Sequence, residues 1–421
     1  MKKNAFTLIE LLAVIAILAI ILVISIPKIL DVIETSKINT LKNAVKLIAD
    51  SAEKKYTENE AFGEENEITC DSVSKLNKED YNKCTIIFDE NGIAKVSILG
   101  RGKFKGLKVI EATKTSAEVI KLEAPKYGIT AVEYIKQQYE YDGDGLKIDN
   151  TPDENIRYYG ANPNNYVSFN NELWRIIGVF GNNVKLIRSE KLGNLSWDSS
   201  EESINEGRGV NEWNTSALKN YLNTMYYDGT SVTCYNANNK QTTTCPANKL
   251  DNTAKALIDN HTWKTGAIDL GKRTNTLAFY KDERGNVTGK ICNGGASCND
   301  TVERTTEWPG YIGLPYVTDW AYASSESICE TNMQKKDSSN AYICKNNNWM
   351  FKLNTWYWTI SPGAYYGISR NVWYVGNVGF VNHYFAADGG AIFPAIYLKS
   401  NILIESGKGT SSDPYILKAG A

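Results

Sequence analysis

The chain has 421 residues, of which 42% are hydrophobic and 22% are charged, and its formal net charge is −2. This length suits about two or three domains, and the composition excludes a disordered polymer. A near-neutral chain has no basic field for wrapping nucleic acid, so no nucleic-acid partner is expected. Its only histidines are His261 and His383, which nearly excludes a histidine-rich metal site.

The N-terminal segment begins with Lys2 and Lys3 and continues into a long apolar run. Residues 6–26 contain a single charged side chain, Glu10. About 20 apolar residues in a helix span the hydrocarbon core of a bilayer, and the two lysines keep the N-terminus cytoplasmic. A secretory signal peptide fits less well, because the run is too long and no small-residue cleavage site follows it. The segment is therefore predicted to cross the cell membrane once, with the rest of the chain outside.

Residues 5–18 resemble the N-terminus of type IV pilins and pseudopilins. In that family a membrane peptidase removes a short basic leader in front of a phenylalanine, which is then N-methylated. The resemblance implies a leader of residues 1–5, cleavage between Ala5 and Phe6, and methylation of Phe6. Ala5 stands where most members have glycine. Glu10 takes the place of the family's near-invariant glutamate.

The same resemblance implies how subunits assemble into a filament. The freed amine of Phe6 is cationic and Glu10 is anionic, and each charge alone is costly in a core of packed apolar helices. Pairing Glu10 with the Phe6 amine of a neighbour removes both costs, whereas a plain signal anchor gains nothing from a carboxylate in the membrane. The implied partners are other pilin subunits, the prepilin peptidase, the inner-membrane assembly machinery and, before assembly, the membrane.

Beyond the membrane segment, apolar residues keep a helical spacing to about Thr57, opposite a face of lysines and acidic residues. One long helix is therefore predicted over residues 6–60, with 6–26 spanning the membrane before assembly. A coiled-coil stalk would need a cleaner heptad. Pro27, at a position where pilins often carry proline, should kink or locally melt this helix because it removes a backbone hydrogen bond.

Residues 61–125 are predicted to form a small antiparallel β head packed on the helix. Strands are expected at residues 84–88, 94–99 and 104–110, and Asn91-Gly92 ends the turn of the first hairpin. A meander of this size resembles a minimal pilin head.

A polar linker is predicted over residues 126–155. It contains Asp142, Asp144 and Asp149, and oxygen-rich loops of this kind can bind calcium. The full EF-hand spacing is absent, so a solvated acidic segment is the favoured interpretation and no cofactor is expected.

A break in composition marks a second domain, because all ten tryptophans lie from Trp174 onward. Strands are predicted at residues 166–169, 173–180 and 184–188, and helical patches at 216–225 and 253–260. Together with the long helix and the β head, these elements predict an α+β fold class.

Residues 156–421 resemble the C-type-lectin-fold surface domains of Gram-positive gut bacteria and their phages. The resemblance rests on Asn164-Asn165-Tyr166-Val167, Trp174-Arg175-Ile176-Ile177-Gly178, Trp358-Thr359-Ile360-Ser361-Pro362-Gly363 and Pro394-Ala395-Ile396-Tyr397-Leu398. Phe393 stands where related domains usually have arginine. Formylglycine-generating enzymes share the wider fold, but no reactive cysteine pair stands out near the C-terminus, so their activity is not expected here.

Eight cysteines outside the membrane segment favour disulfides over zinc, since zinc would favour C-x-x-C pairs and the sequence has none. Many pairings are open to eight cysteines, and pairing of neighbours along the chain is the working hypothesis. The expected pairs are Cys70–Cys84, Cys234–Cys245, Cys292–Cys298 and Cys329–Cys344.

Residues 351–393 mix aromatic side chains with asparagine, serine and glycine, a composition typical of binding surfaces. Aromatic rings give contact area at a low entropy cost, although some of these rings must instead pack the core. The candidate ligand-binding residues are Trp356, Tyr365, Tyr366, Ser369, Asn371, Trp373, Tyr374, Asn377, Asn382, His383, Tyr384 and Phe393.

Some domains of the resembled kind are diversified by retroelements that mutate adenines in asparagine-type codons. This scatters Tyr, Asn, Ser, His, Asp and Phe over fixed scaffold positions. Most of the candidate residues are of these types, so a hypervariable binding face is a further hypothesis.

These features predict a type IV pilin-like filament subunit that displays an adhesin domain for a host or surface ligand, either protein or glycan. The alternative is a pseudopilin of a type II secretion or competence system, although pseudopilins usually have small heads. An envelope-tethered enzyme is less favoured, because no nucleophile–base pair, G-x-S-x-G, P-loop or H-E-x-x-H motif is present. No enzymatic activity is expected.

Overall fold

A computed structural model describes most of the chain, in two compact units. The first unit runs to Ala124 and includes Glu140–Gly143, and the second consists of Pro125–Tyr139 and the chain from Asp144 onward. The fold is α+β: a long apolar helix followed by mostly β structure with disulfides. The residues described are 8–63, 67–74, 76–201, 206–269, 275–285, 305–331, 333, 338–351, 355–364 and 369–420.

The first element, α1, is a helix that spans Leu8–Phe62. It continues through Pro27, so the proline does not melt the helix as expected. Within the described part of the chain, α1 is the one helix with the length and composition to cross a membrane. Its C-terminal half buries one face at helical spacing, formed by Leu41, Val45, Ile48, Ala49 and Ala52.

This buried face packs on a four-stranded antiparallel sheet within the first unit. The strands follow one another across the sheet in chain order: β1 (Tyr81–Phe88), β2 (Ala94–Gly100), β3 (Leu107–Ala112) and β4 (Val119–Lys121). Alternation along β2 turns Val96 and Ile98 into the same core as the helix. The short helix α2 (Cys70–Val73) is joined to β1 by the Cys70–Cys84 disulfide.

The second unit contains most of the strands and helices. Its strands are β5 (Leu146–Ile148), β6 (Ile156–Tyr158), β7 (Tyr166–Phe169), β8 (Glu172–Phe180), β9 (Asn183–Arg188), β10 (Asn194–Ser196), β11 (Cys234–Ala237), β12 (Gln241–Thr243), β13 (His261–Lys264), β14 (Ile268–Asp269), β15 (Glu307–Gly310), β16 (Ile312–Gly313), β17 (Tyr357–Ala364), β18 (Asn371–Val375), β19 (Val381–Phe385), β20 (Gly389–Ala391), β21 (Ala395–Tyr397), β22 (Ile402–Ser406) and β23 (Tyr415–Ala419). The remaining α-helices are α3 (Ala131–Tyr141), α4 (Ala217–Asn220), α5 (Asn252–Leu257), α6 (Thr276–Glu283), α7 (Val317–Tyr322) and α8 (Ser338–Asn346).

Two larger sheets organise this unit. A nine-stranded sheet has the order β16-β21-β9-β8-β7-β23-β22, with β6 added on β8 and β5 on β6. A six-stranded sheet has the order β10-β20-β17-β18-β19, with β14 added on β17. The hairpin between β7 and β8 turns at Asn170 and Asn171, which both have a φ of +57°. Asparagine tolerates this left-handed conformation, and paired left-handed residues match the twist of a hairpin.

Tryptophans dominate the core of the second unit, which accounts for the break in composition along the chain. The largest fully buried side chains include Trp174, Trp197, Trp213, Trp263, Trp320, Trp358 and Trp373. Each large aromatic side chain buries much apolar area. A few such side chains can therefore form one core even where the chain consists of long loops.

Residues 126–155 are folded, which corrects their interpretation as a linker. They contain α3, whose Tyr134 and Ile135 are buried, and β5, which joins the nine-stranded sheet. The acidic residue Asp149 is also buried, and Arg157, 2.8 Å from its carboxylate, offsets the cost of burying that charge. The polar composition was misleading because Arg157, the charged partner of Asp149, lies outside the segment.

The core of the second unit holds a chain of buried charges. Arg157 bridges Asp149 and Asp319 at 2.8 and 2.7 Å, and Lys185 lies 2.5 Å from Asp319. Although burial acts to raise it, Lys185 and Arg157 hold the pKa of Asp319 below its ordinary value. Opposite charges at these distances offset the cost of removing each one from water.

Disulfides join neighbouring cysteines in both units. The structure contains Cys70–Cys84, Cys234–Cys245 and Cys329–Cys344, the pairings expected for these six residues. The fourth expected pair, Cys292–Cys298, lies outside the described residues.

Candidate functional site

The membrane-proximal half of α1 presents its apolar side chains to the outside on every face. Leu8 is 84% exposed, and large apolar residues remain exposed as far as Ile33. Glu10 lies in the first turn of this exposed segment. A helix that is apolar all round is stable in a membrane or among other apolar helices. Ala5 and Phe6, the expected processing residues, lie outside the described residues.

Strand register divides the candidate ligand-binding residues of the second unit between two faces of a sheet. On one face, Tyr374 of β18 lies opposite Asn382 of β19, and Val372 lies opposite Tyr384. On the other face, Trp373 lies opposite His383. Directly opposed residues point to the same side of a sheet, so these two sets cannot contact one ligand together.

The first face carries a cluster that we call the aromatic patch: Trp356, Tyr374, Asn382 and Tyr384. The Trp356 ring lies 5.1 Å from that of Tyr374 and 6.5 Å from that of Tyr384, both edge-on. Tyr384 is 46% exposed, and the other three are half-buried. Burial, followed by the nearby Tyr384, raises the pKa of Tyr374, so its hydroxyl stays a hydrogen-bond donor at neutral pH.

Buried neighbours fix the position of this patch. The Trp356 ring packs edge-on against Trp358 at 4.8 Å, and the Trp358 indole N–H donates to the Leu195 carbonyl at 3.1 Å. Gly390 passes close beneath both indoles: a Cβ on it would lie 2.5 Å from Trp358 Nε1 and 2.6 Å from the Trp356 ring. Two large rings can therefore lie side by side only because residue 390 has no side chain.

One comparison with known proteins bears on the N-terminus. A family model, the prokaryotic N-terminal methylation motif, matches residues 1–26. The chain has a type IV pilin-like prepilin N-terminus. This implies peptidase processing and pilin-type assembly in general, and with the apolar helix it fits a membrane-anchored protein that reaches the cell surface. No curated protein and no solved structure matches the chain.

Four other candidate ligand-binding residues of this pilin-like chain are buried. Trp373 has no exposed surface, packs edge-on against Phe279 at 4.9 Å and faces the core. Ser369, Asn371 and Phe393 are each less than a tenth exposed. These four side chains support the fold, since the register and the adjoining strands turn them away from solvent.

The remaining candidates lie elsewhere. Asn377 is exposed in the turn between β18 and β19. His383 is half-buried beside Trp373, and burial lowers its pKa, so the ring is neutral at pH 7. Tyr365 and Tyr366 lie outside the described residues.

The acidic residues considered for calcium do not form a shared site. Asp142 pairs with Lys105. Asp149 accepts hydrogen bonds from Thr151 and Asn155 in addition to its pair with Arg157. Across the part of the chain that the structure describes, no group of three or more His, Cys, Asp or Glu side chains could hold a metal ion.

Sequence reasoning missed one further feature, a cavity beside Arg175. In the sequence, Arg175 contributes only to the resemblance to C-type-lectin-fold domains. Its position was a usable signal, since Arg175 is the one charge between Leu173 and Phe180 in a strand that is otherwise apolar. A cation within such a run needs a specific partner.

Proposed function

We propose that the chain is a type IV pilin-like filament subunit whose second unit binds a protein or glycan ligand at the cell surface. The observation that carries the proposal is the methylation motif at the head of a helix whose first half is apolar and exposed. In this proposal the protein assembles into filaments and binds a ligand, and it catalyses no reaction.

The two halves of α1 support the assembly role. The half from Leu41 to Ala52 packs on the first unit's own sheet, whereas the half before Ile33 has no such cover. In this proposal the exposed half lies in the membrane before assembly, with its N-terminus cytoplasmic. It packs against other subunits afterwards, and Glu10 then pairs with the methylated amine of a neighbouring Phe6.

The aromatic patch supports the binding role. Three rings and one amide share a single accessible face, and buried residues hold them in place. Rigid aromatic side chains with an adjacent polar group are enriched at the energetic centres of interfaces. The hypervariability hypothesis then concerns chiefly the accessible candidates: Tyr374, Asn377, Asn382 and Tyr384.

The size of the second unit favours a displayed pilin over a pseudopilin. It contains the chain from Asp144 onward, with its own tryptophan-rich core, whereas a pseudopilin has a small head. The resemblance to C-type-lectin-fold surface domains points in the same direction, because those domains bind ligands on exposed faces.

Assembly is tested by expressing the full chain with a prepilin peptidase and recovering filaments sheared from the cells. Mass spectrometry should find a mature N-terminus at methylated Phe6. The Glu10→Gln variant should be cleaved normally but be absent from the sheared fraction, because it removes the carboxylate and keeps the shape. An uncleaved chain refutes the pilin assignment, and a cleaved chain that forms no surface filaments favours a pseudopilin.

Binding is tested by probing the full-length, detergent-solubilised chain on glycan and surface-protein arrays. Tyr384→Ala should weaken a hit by at least about tenfold, as truncation of a central aromatic does at interfaces. Tyr342→Ala is the matched control, because Tyr342 is an exposed tyrosine on α8, outside the patch. Equal loss in both variants, or in neither, would remove the aromatic patch as the binding site.

A further inference from the structure

A cavity of about 770 Å³ opens in the second unit, and none of the four residues of the aromatic patch lines it. Trp349, Phe351 and Phe393 form apolar walls, and Thr355 and Ser411 add hydroxyl groups. Six of the eleven lining residues are polar or charged, so the cavity offers a small ligand both apolar surface and hydrogen-bonding groups. Phe393 is too buried to belong to the outer surface of the protein, but it lines this cavity.

Arg175 supplies the cation of this cavity. Its guanidinium lies between the rings of Tyr166 and Trp349, with its carbon 4.2 and 4.5 Å from the ring centres. Its Nε–H donates to Asn165 at 2.8 Å and its Nη2 to the Pro163 carbonyl at 3.2 Å. The side chain is thus held in one orientation, as a binding group must be.

No carboxylate of the described residues lies within ion-pairing distance of Arg175, which is only 5% exposed. Every other buried cation among the described residues of this unit has one: Arg157, Lys185 and Arg188 all pair with acidic side chains. Burial without such a partner lowers the pKa of Arg175 to about 10, which still leaves it charged at neutral pH. A buried cation without a counter-ion is costly, and an anion bound beside it would offset that cost.

The charge of the cavity wall indicates what kind of anion fits. Besides Arg175, the wall contains Lys191 and Glu190, so two cations and one anion leave one net positive charge. A singly charged carboxylate balances this wall, whereas a doubly charged phosphate would leave an excess of negative charge.

We propose that the Arg175 cavity is a second binding site, which takes a carboxylate-bearing ligand with its charged group against the Arg175 guanidinium and its body against Trp349, Phe351 and Phe393. The inference does not depend on the pilin assignment or on the aromatic patch. The carboxylate could come from a peptide terminus or from an acidic sugar, and these two sources share the same chemistry at Arg175.

Calorimetric titration of the full-length chain in detergent tests the site with two matched pairs of probes. The peptide-type pair is N-acetyl-phenylalanine and its neutral amide, and the sugar-type pair is glucuronate and glucose. At least one acid should bind at least about tenfold more tightly than its neutral partner, as expected for a hydrogen bond to a charged group. The pair that shows the difference identifies the source. Phenyl phosphate should bind more weakly than the preferred acid.

Two variants locate the binding. Arg175→Gln should lose acid binding by about tenfold or more. Because Arg175 also holds neighbouring loops, a second variant, Leu173→Trp, leaves the guanidinium intact. Leu173 lies on the cavity wall and is 39% exposed, so a larger ring at this position should fill the cavity. Tyr342→Ala, which changes an exposed tyrosine on α8 outside the cavity wall, should leave acid binding unchanged.

Three results would overturn the proposal. Each acid and its neutral partner could bind equally, or no acid could bind below about 10 mM. Acid binding could also survive the Leu173→Trp substitution undiminished, which would put the carboxylate elsewhere.

Discussion

The two units of the chain place their charged and apolar side chains in opposite ways. In the first, a long run of leucine, isoleucine and valine from Leu8 to Ile33 is exposed, while ion pairs such as Lys54–Asp50 lie at the surface. In the second, the charges Arg157, Lys185 and Asp319 are fully buried, and both cations lie over the ring of Phe180.

This difference shows where each unit finds its missing partners. The exposed half of α1 needs partners from outside the chain, either lipid or other helices, because its apolar surface is otherwise unfavourable in water. The buried charges Arg157, Lys185 and Asp319 of the second unit find their partners inside it. The first unit is thus suited to assembly, and the second to holding a fixed binding surface.

The largest expected effect is unfolding of the second unit at high pH. Burial raises the pKa of many of its tyrosines above the ordinary value of about 10. Below that pH their contribution to stability is fully present. Above it, the unfolded chain loses protons that the folded chain keeps, so the free energy of unfolding falls by about 1.4 kcal/mol per pH unit for each tyrosine. These tyrosines include Tyr158, Tyr221, Tyr226, Tyr316, Tyr357 and Tyr397.

Tryptophan fluorescence measures this transition in the second unit alone, since all ten tryptophans lie there. We expect one cooperative change above about pH 10. Lys185 and Arg175 act in the opposite direction, because burial lowers their pKa values to about 8 and about 10, but these two groups are outnumbered by the buried tyrosines. The first unit should be less sensitive to high pH, which hydrogen exchange can measure. In that unit burial raises the pKa of Tyr81 to about 12. Gradual tyrosine ionisation near pH 10 with constant fluorescence would contradict the burial of these rings.

The next largest effect is expected for Asp319→Asn. It leaves Lys185 and Arg157 buried with one negative charge fewer between them, and breaking a buried pair costs about 3–5 kcal/mol. Urea unfolding followed by tryptophan fluorescence measures the loss. Glu405→Gln is the control in the same unit, because its pair with Lys418 is exposed and should contribute less than about 1 kcal/mol. Similar midpoints for the two variants would mean that water reaches the buried charges.

These contrasts also explain what the sequence could and could not predict. The long helix, strands β7 to β9 and the hairpin turn at Asn170 and Asn171 follow from local periodicity and turn residues. The burial of Asp149 could not be predicted in this way. Its partner Arg157 lies in another segment, and Asp319, the second partner of Arg157, is far away in sequence. The aromatic residues were found by composition, but which of them face solvent depends on the register of β18 against β19.

A smaller effect is expected from removing the disulfide of the first unit. Cys70 and Cys84 are separated by 14 residues, and a loop of this size stabilises by about 3 kcal/mol through the unfolded chain. The double variant Cys70→Ser/Cys84→Ser should make residues 67–121 susceptible to protease while the tryptophan signal stays native. The matched variant Cys329→Ser/Cys344→Ser, with a separation of 15, should instead affect the second unit. Loss of both units in either variant would show that they unfold together.

The smallest effect on stability is expected for Gly390→Ala, although its effect on binding should be clear. The new Cβ would lie 2.5 Å from Trp358 Nε1 and 2.6 Å from the Trp356 ring. Trp358 is buried and hydrogen-bonded, so the half-buried Trp356 must move, and overpacking of this kind costs about 1–3 kcal/mol. Ligand binding by the aromatic patch should therefore fall, although no ligand-contacting residue has changed.

Gly389→Ala is the neighbouring control, because the atoms nearest to its Cβ would all belong to Asn236, with the carbonyl oxygen at 3.1 Å. Circular dichroism of the aromatic bands reports the arrangement of the rings, and array binding reports the function. If Gly390→Ala disturbs the rings but leaves binding intact, the ligand contacts lie outside Trp356. If both change together, the second unit binds through a surface whose shape is set by its buried tryptophans, in contrast to the exposed half of α1, whose apolar surface is not covered by the chain itself.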